Sequence, residues 1–368
     1  MIILKILVTG TRGIPDIPGG VETHCQELYT RLVALGTEVI IIRRSSYVRD
    51  NLKEYKGIQL VDLYSPKKKS LEAIVHTFLA VLYALKIKPD LIHFHAIGPS
   101  LLVPFAKLLG FKVVVTNHGP DYDRGKWGKW AKRLLKLGEK LGSSYADSVI
   151  VISRKIQNIV QSYNPMKTFL IYNGVDKHAV LSHEYLGKYD LTDKSYIFTA
   201  ARFVPEKGLH DLIEAYKLSG LDCKLVIAGD ADHEDQYSRS LKDRASENSN
   251  IILTGYITGN ELAEFFSHAL LYVLPSYHEG LPITLLEALS YGVNVLASDI
   301  DANKEVGLSE QFYFKCGDIK GLAGSLVRLS GYNMSESDYK HINNLLTNRF
   351  NWDIIAKQTN DVYKYILK

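Results

Sequence analysis

The 368-residue sequence predicts an α/β protein made of two Rossmann-like, doubly wound domains. Three observations lead there. Short Val/Ile/Leu-rich runs alternate with amphipathic stretches, the alternation restarts after residue 176, and the length exceeds what a single core usually supports. Hydrophobic content of 46% and charged content of 23% are those of ordinary globular chains, so pattern rather than composition sets the fold class.

In chain order, Leu4 to Thr9, Val39 to Arg43, Leu91 to His95, Lys112 to Thr116 and Ser148 to Ile152 read as strands. Their apolar runs are continuous rather than alternating, the mark of a parallel sheet covered on both faces. Ala73 to Leu85 is the longest apolar run; it is too short to span a bilayer and is expected as a core helix. Thr168 to Tyr172 is a further strand, followed by the turn-forming Asn173-Gly174-Val175-Asp176. The domains are therefore set at 1–172 and 173–350, with 351–368 as a closing segment in which Trp352 to Leu367 has helical spacing. Second-domain strands are expected at Tyr196 to Ala200, Cys223 to Ala228, Ile251 to Thr254, Leu270 to Leu274 and Asn294 to Ala297.

Cys25, Cys223 and Cys316 are odd in number and far apart, which fits neither a disulfide framework nor a zinc pattern and points to a reducing cytoplasm. Met1 to Val8 lacks a cleavage region and runs into a glycine loop, so it reads as a first strand rather than an export signal. The net charge of +4 hides an asymmetry. Residues 1–170 carry 25 Lys and Arg against 13 Asp and Glu, and the remainder 19 against 27.

Much of that excess lies in Arg124 to Lys140, where Lys126, Lys129, Arg133 and further cations are interleaved with Trp127, Trp130 and leucines. As a helix this is a basic amphipathic surface with interfacial tryptophans, suited to anionic headgroups, and Lys67-Lys68-Lys69 adds to it. A domain helix with a solvated basic face accounts for it equally. No nucleic-acid-binding module accompanies the charge.

The chemistry centres on Glu279 to Glu287. An apolar strand hands over to a helix over Leu281 to Tyr291, with Pro282 suited to its first turn, through a Ser/His/Glu/Gly loop. Glu279 then stands beside the unpaired N–H groups of Gly280 to Ile283, which favour an anion such as phosphate, and Glu287 lies further along the same helix. Elsewhere, Gly19 and Gly20 close a loop after the first strand and open a helix. His118 follows the strand Lys112 to Thr116, with His93 and His95 competing for its place at a strand end. Arg202 and Lys207 flank a turn from which both could reach one diphosphate. Asp230 ends one strand, as a donor contact or a helix cap, and Gly255-Tyr256-Ile257 end the next. The D-x-D triplets at 121–123, 230–232 and 299–301 are no more than aspartate content explains, and no metal site is read from them.

Glu279-Gly280-Leu281-Pro282, ending in Leu286-Glu287-Ala288, resembles the E-x7-E signature of the retaining family 4 (group 1) glycosyltransferases of GT-B fold. The other motifs stand in that family's order: Gly-Gly-x-Glu from Gly19, a histidine at 118, and R-x4-K-G from Arg202 to Gly208. The resemblance implies two Rossmann-like domains with a cleft between them and a last helix that packs back on the first domain. It implies that Gly19 and Gly20 meet the donor phosphate or the acceptor, and that Glu279 and His118 orient the sugar. Arg202 and Lys207 would supply the charge a metal supplies elsewhere, Gly255, Tyr256 and Ile257 would bracket the base, and Glu287 would hold the ribose. Gly280 and Leu281 complete the expected donor site.

The implied activity is metal-independent, retaining transfer of a hexose from a UDP- or dTDP-sugar to a saccharide acceptor, lipid-linked, in O-antigen, capsule or exopolysaccharide synthesis. No cofactor is implied, and the expected place is the cytoplasmic face of the membrane, with Lys126, Trp127, Lys129, Trp130 and Arg133 toward the bilayer. A sugar-nucleotide epimerase or a non-catalytic nucleotide-sugar-binding protein remains as an alternative. The missing G-x-G-x-x-G fingerprint speaks against a dehydrogenase.

Overall fold

The computed structural model describes residues 4–66, 71–123, 128–178, 181–232 and 234–368. It forms two units, Met1–Gly174 with Asn351–Lys368, and Val175–Phe350.

The first unit is an eight-stranded sheet: β1 (Lys5–Thr9), β2 (Glu38–Arg44), β3 (Glu54–Tyr55), β4 (Ile58–Leu63), β5 (Leu91–His95), β6 (Lys112–Asn117), β7 (Ser148–Val151) and β8 (Thr168–Leu170). Their order is β3-β4-β2-β1-β5-β6-β7-β8, with only the β3–β4 hairpin antiparallel. Ile6, Leu7, Val8, Val39, Ile41 and Ile42 are fully buried, as expected of strands covered on both faces. β3 and β4 carry no such run. Glu54, Gln59 and Asp62 alternate with apolar neighbours at the sheet edge, and sequence reading passed them over. The order reverses between β1 and β5, which end so close together that a Cβ on Gly10 (φ +100°) would lie 2.1 Å from the His95 carbonyl oxygen.

The helix Gly20–Ala34 buries His24, Cys25, Leu28, Tyr29 and Leu32 along one face. Against it packs the helix Trp352–Leu367, started by Asn351, whose side chain accepts from the N–H groups of Asp353 (2.9 Å) and Ile354 (3.1 Å). Arg31 bridges the two helices to Asp353 at 3.0 Å. The expected core helix runs Glu72–Ile87 and is only half core. His76, Thr77, Ala80, Val81 and Ala84 are buried, while Phe78, Leu82 and Leu85 stay about two-fifths exposed. The basic segment is helical over Lys129–Tyr145; Lys67, Lys68, Lys69, Arg124, Lys126 and Trp127 lie outside the described residues.

The second unit is a six-stranded parallel sheet: β9 (Tyr196–Ala200), β10 (Lys224–Ala228), β11 (Ile251–Gly255), β12 (Leu271–Leu274), β13 (Asn294–Ser298) and β14 (Tyr313–Phe314), in the order β11-β10-β9-β12-β13-β14. The two-residue β14 is too short to leave a periodic signal and was not anticipated. Here the order reverses between β9 and β12. Open α/β sheets bind ligands outside the carboxyl ends of strands at such a reversal. Two expectations are corrected. The helix after β12 is Ile283–Ser290, with Pro282 as its extended N-cap (φ −77°, ψ 105°) rather than in its first turn. Asp230 caps nothing: Asp235 caps the helix Gln236–Ser246, and Asp230 pairs with Lys242 at 2.9 Å.

Candidate active site

In the second unit the segments leaving β9 and β12 run side by side. A 3₁₀ turn over Pro205–Lys207 ends at Gly208 (φ +65°), where a Cβ would lie 2.1 Å from the Pro275 carbonyl oxygen, so only glycine allows this approach. The Tyr277 N–H donates to the Glu206 carbonyl at 2.9 Å, tying the two loops. Between them Lys207 Nζ meets Glu279 Oε1 at 2.6 Å, and Ser276 Oγ donates to the same oxygen at 2.7 Å. With the two side chains only 20% and 11% exposed, this is a sheltered, charge-assisted contact rather than a surface ion pair. The Tyr277 hydroxyl donates to Asp211, and burial, then that carboxylate, pushes its pKa up to about 12.

A second group forms where β9, β10 and β11 end. Arg202 Nη1 pairs with Asp232 Oδ2 at 2.9 Å, and the Phe203 N–H donates to the Asp230 carbonyl at 3.0 Å. The Tyr256 hydroxyl donates to the Asp230 carbonyl at 2.8 Å and reaches Asp232 Oδ1 at 3.3 Å. Burial, then Asp232, raises its pKa to about 12. The Gly229 N–H donates to the Gly255 carbonyl at 2.8 Å, so Gly255, Tyr256 and Ile257 follow β11 directly beside this group. The two cations expected to share one diphosphate thus lean on different acids, Lys207 on Glu279 and Arg202 on Asp232. Gly280 and Leu281 lead into the Ile283–Ser290 helix, whose half-buried Glu287 lies eight residues beyond Glu279.

In the first unit the loop after β1 is pinned by Glu22. Its carboxylate accepts from the Arg12 N–H at 3.0 Å and Thr11 Oγ1 at 3.3 Å, and pairs with the Arg12 guanidinium at 3.4 Å. Burial acts to raise its pKa, but Arg12 and the backbone N–H prevail and hold it below the usual carboxylate value. Gly19 and the exposed Gly20 thereby sit at the start of the Gly20–Ala34 helix.

His118, just past β6 and itself half-buried, joins the buried imidazoles of His24, His93 and His95. Its Nε2 lies 2.9 Å from His95 Nδ1, and His95 Nε2 lies 2.5 Å from the Tyr29 hydroxyl. Tyr29 also reaches His93 Nδ1 at 2.8 Å, which meets the Tyr363 hydroxyl at 2.6 Å, while His93 Nε2 meets Thr116 Oγ1 at 2.7 Å. His24 stands edge-on to His118, ring centroids 4.8 Å apart, with Nδ1 2.9 Å from Asn173 Oδ1. Burial holds His93, His95 and His118 well below the ordinary imidazole value, and lowers His24 to about 4 against the opposing Asn173 bond. His93, His95 and His118, which the sequence offers as competitors for one place at a strand end, all belong to one network. The loop bearing His118 is itself fixed. Asn117 Oδ1 accepts from the Gly119 N–H at 2.9 Å, and Glu139 accepts from Asn117 Nδ2 and the Tyr122 hydroxyl, each at 2.9 Å.

Comparison with known proteins matches both units in turn. Residues 18–178 fit the family model described as Glycosyltransferase Family 4, and residues 184–334 the one described as Glycosyl transferases group 1. The chain belongs to the group 1 glycosyltransferases. This glycosyltransferase is 26% identical over 400 residues to an uncharacterised glycosyltransferase of Methanocaldococcus jannaschii, covering 99% of each chain. It is 28% identical over 307 residues to the UDP-Gal:α-D-GlcNAc-diphosphoundecaprenol α-1,3-galactosyltransferase of Escherichia coli, covering 77% of this chain and 78% of that one. Its fold is that of sucrose-phosphate synthase from Thermosynechococcus elongatus (TM-score 0.84, 22% identity, 99% of both chains). The same holds for Anabaena HepE in complex with UDP and glucose (TM-score 0.80, 17% identity, 98% of this chain and 100% of that one). These are GT-B structures.

Sequence reading of this glycosyltransferase missed His24, Tyr29, Asn173 and Tyr363. His24 and Tyr29 sit five apart on the buried face of their helix, among Cys25, Leu28 and Leu32, which is the signal that could have raised them. Glu139 was missed as well; it is the sole carboxylate within the Lys129–Tyr145 helix and points inward.

Proposed function

We propose that this enzyme moves a hexose from a UDP- or dTDP-sugar, with retention and without a metal ion, to a lipid-linked saccharide in the synthesis of a surface polysaccharide such as O-antigen, capsule or exopolysaccharide. The observation that carries the reading is the Lys207–Glu279 pair at the β9/β12 reversal. A carboxylate held by a lysine is ready to accept sugar hydroxyls, and an arriving diphosphate competes for that same lysine. Lys207 and Arg202 then neutralise the departing diphosphate, a stabilisation that grows as charge develops. Gly280 and Leu281 carry the phosphates to the helix start, Glu287 takes the ribose, and Gly255, Tyr256 and Ile257 flank the base beside Asp230. Gly19, Gly20 and His118 serve the phosphate and sugar. The bond from the anomeric carbon to phosphate breaks as the bond to the acceptor oxygen forms on the same face, and the leaving phosphate oxygen takes the acceptor proton.

A peripheral membrane position is supported by the surface of the first unit. Trp130 is 80% exposed, with the Arg133 guanidinium 5.1 Å from its ring centroid, and Leu134 and Leu137 line the same helix beside Lys129. Phe78, Leu82, Leu85 and Leu108 continue this apolar exposure over the neighbouring helices Glu72–Ile87 and Val103–Leu108. Both carboxylates of these three helices, Glu72 and Glu139, are buried, so the charge they expose is all positive, as an anionic bilayer requires. No helix among the described residues is long and apolar enough to cross a membrane. The E. coli relative's named acceptor, a diphosphoundecaprenol-linked sugar, supports the lipid-linked acceptor.

The test is nucleotide release from UDP-, dTDP- and GDP-sugars, with and without lipid-linked acceptor extracts, in the presence of a chelator. Acceptor-dependent release that survives chelation is the expected result. Isomerisation of the donor without acceptor would instead identify an epimerase.

A further inference from the structure

We propose that His24, His95 and His118 form a binding site for one divalent transition-metal ion of the zinc or cobalt(II) class. The three residues come from three elements, the Gly20–Ala34 helix and the ends of β5 and β6, and one ring nitrogen of each lies within 4.8 Å of the others. The widest spacing the set allows exceeds the edge of about 3.3 Å in a tetrahedral zinc–imidazole set, so binding draws the rings together by rotation.

Two features separate this set from a chance meeting of histidines. First, the nitrogens facing away are already held: Asn173 Oδ1 accepts from His24 Nδ1, and the Tyr29 hydroxyl bonds His95 Nε2. Imidazoles that ligate metals are oriented by such outer partners, which leave the opposite lone pair for the ion. Second, that lone pair on His24, at Nε2, is buried without a hydrogen-bond partner among the described residues. A buried acceptor left unmatched needs a ligand to explain it.

Binding exchanges the single His95–His118 hydrogen bond for three N–metal bonds, with the His118 hydrogen carried on Nδ1. Three imidazoles and no carboxylate suit zinc, cobalt, nickel or copper and not magnesium or calcium. Resting on the role proposed for His118, a bound ion withdraws that ring from the sugar and inhibits the transferase.

Titration of tag-free, chelator-stripped protein with Co²⁺ tests the site directly. One equivalent giving the d–d bands of a nitrogen-ligated low-coordinate centre, displaced by Zn²⁺ and indifferent to Mg²⁺, is expected. Affinity should fall at least 100-fold in His24→Gln and about 10-fold in Asn173→Ala. X-ray absorption on the zinc-loaded wild type, which needs no variant to fold, should count three imidazoles. Absence of the bands, fewer than two imidazoles, or undiminished binding in His24→Gln would overturn the site. Stoichiometric binding without inhibition of nucleotide release would leave the site standing and remove His118 from the proposed donor contacts.

Discussion

The two units reverse their strand order in the same way and fill the reversal with opposite chemistry. Between β1 and β5 the gap is lined by neutral groups, His93, His95, Tyr29 and Tyr363, all buried under the Gly20–Ala34 and Trp352–Leu367 helices. Between β9 and β12 it is lined by charges, Lys207 on Glu279 and nearby Arg202 on Asp232, each partly open to solvent. Depth explains the difference. Where helices close over rings that have no charged partner, ionisation is too costly and hydrogen bonds between neutral groups take over, whereas Glu22 on the Gly20–Ala34 helix stays ionised because Arg12 pairs with it. Where the ends stay open, water lowers that cost and ion pairs survive. One architecture can therefore carry a rigid polar core in one unit and exchangeable charges in the other.

The comparison breaks most sharply at Glu279. Replacing it by Gln should keep the fold and lower turnover by about 100- to 1000-fold, read as acceptor-dependent nucleotide release. Wild-type turnover in this variant would show that the charged reversal is not the reacting one. The neutral reversal should respond in stability instead. Tyr29→Phe removes the hydroxyl shared by His93 and His95 and should cost about 2–3 kcal/mol in urea unfolding, because buried ring nitrogens lose their partner.

A smaller effect tests whether burial keeps the first unit's histidines neutral. His76 is lowered to about 4, by burial first and then by the nearby Arg44 cation, which Glu72 holds at 2.7 Å. Between pH 6.5 and 4 the unfolded chain binds this proton and the folded chain does not. The stability it contributes is therefore complete above pH 6.5 and falls as pH drops toward 4, by about 1–2 kcal/mol at pH 5. The fall should be smaller in His76→Leu, compared with wild type at pH 7 and pH 5. Smallest of all, Asp232→Asn breaks a partly exposed pair and should change stability by less than about 1 kcal/mol, with the remainder lost in high salt. A larger cost would mean that the Arg202 pair is structural rather than exchangeable.

Most strands were legible because burial on both faces demands unbroken apolar runs, which Ile6 to Val8 and Val113 to Val115 display. The edge hairpin Glu54–Leu63 was not, since one exposed side lets polar residues interrupt the run. Glu279, Arg202 and Lys207 could be picked out because each follows a strand and belongs to a fixed local spacing. Their partners could not. Asp232 is 30 residues from Arg202, and Glu279 is 72 from Lys207.

By itself, then, the sequence determined the alternation of strands and helices, the break near residue 174 and the strand-end loops that carry Glu279, Arg202 and Lys207, all consequences of local pattern. Tertiary structure alone decided which of those side chains meet. His24, His95 and His118 lie on three separate elements, and Tyr363 joins their network from the far end of the chain. Their neutrality follows from the helices that close over them. Desolvation depends on everything packed around a group, and no spacing along the chain encodes it.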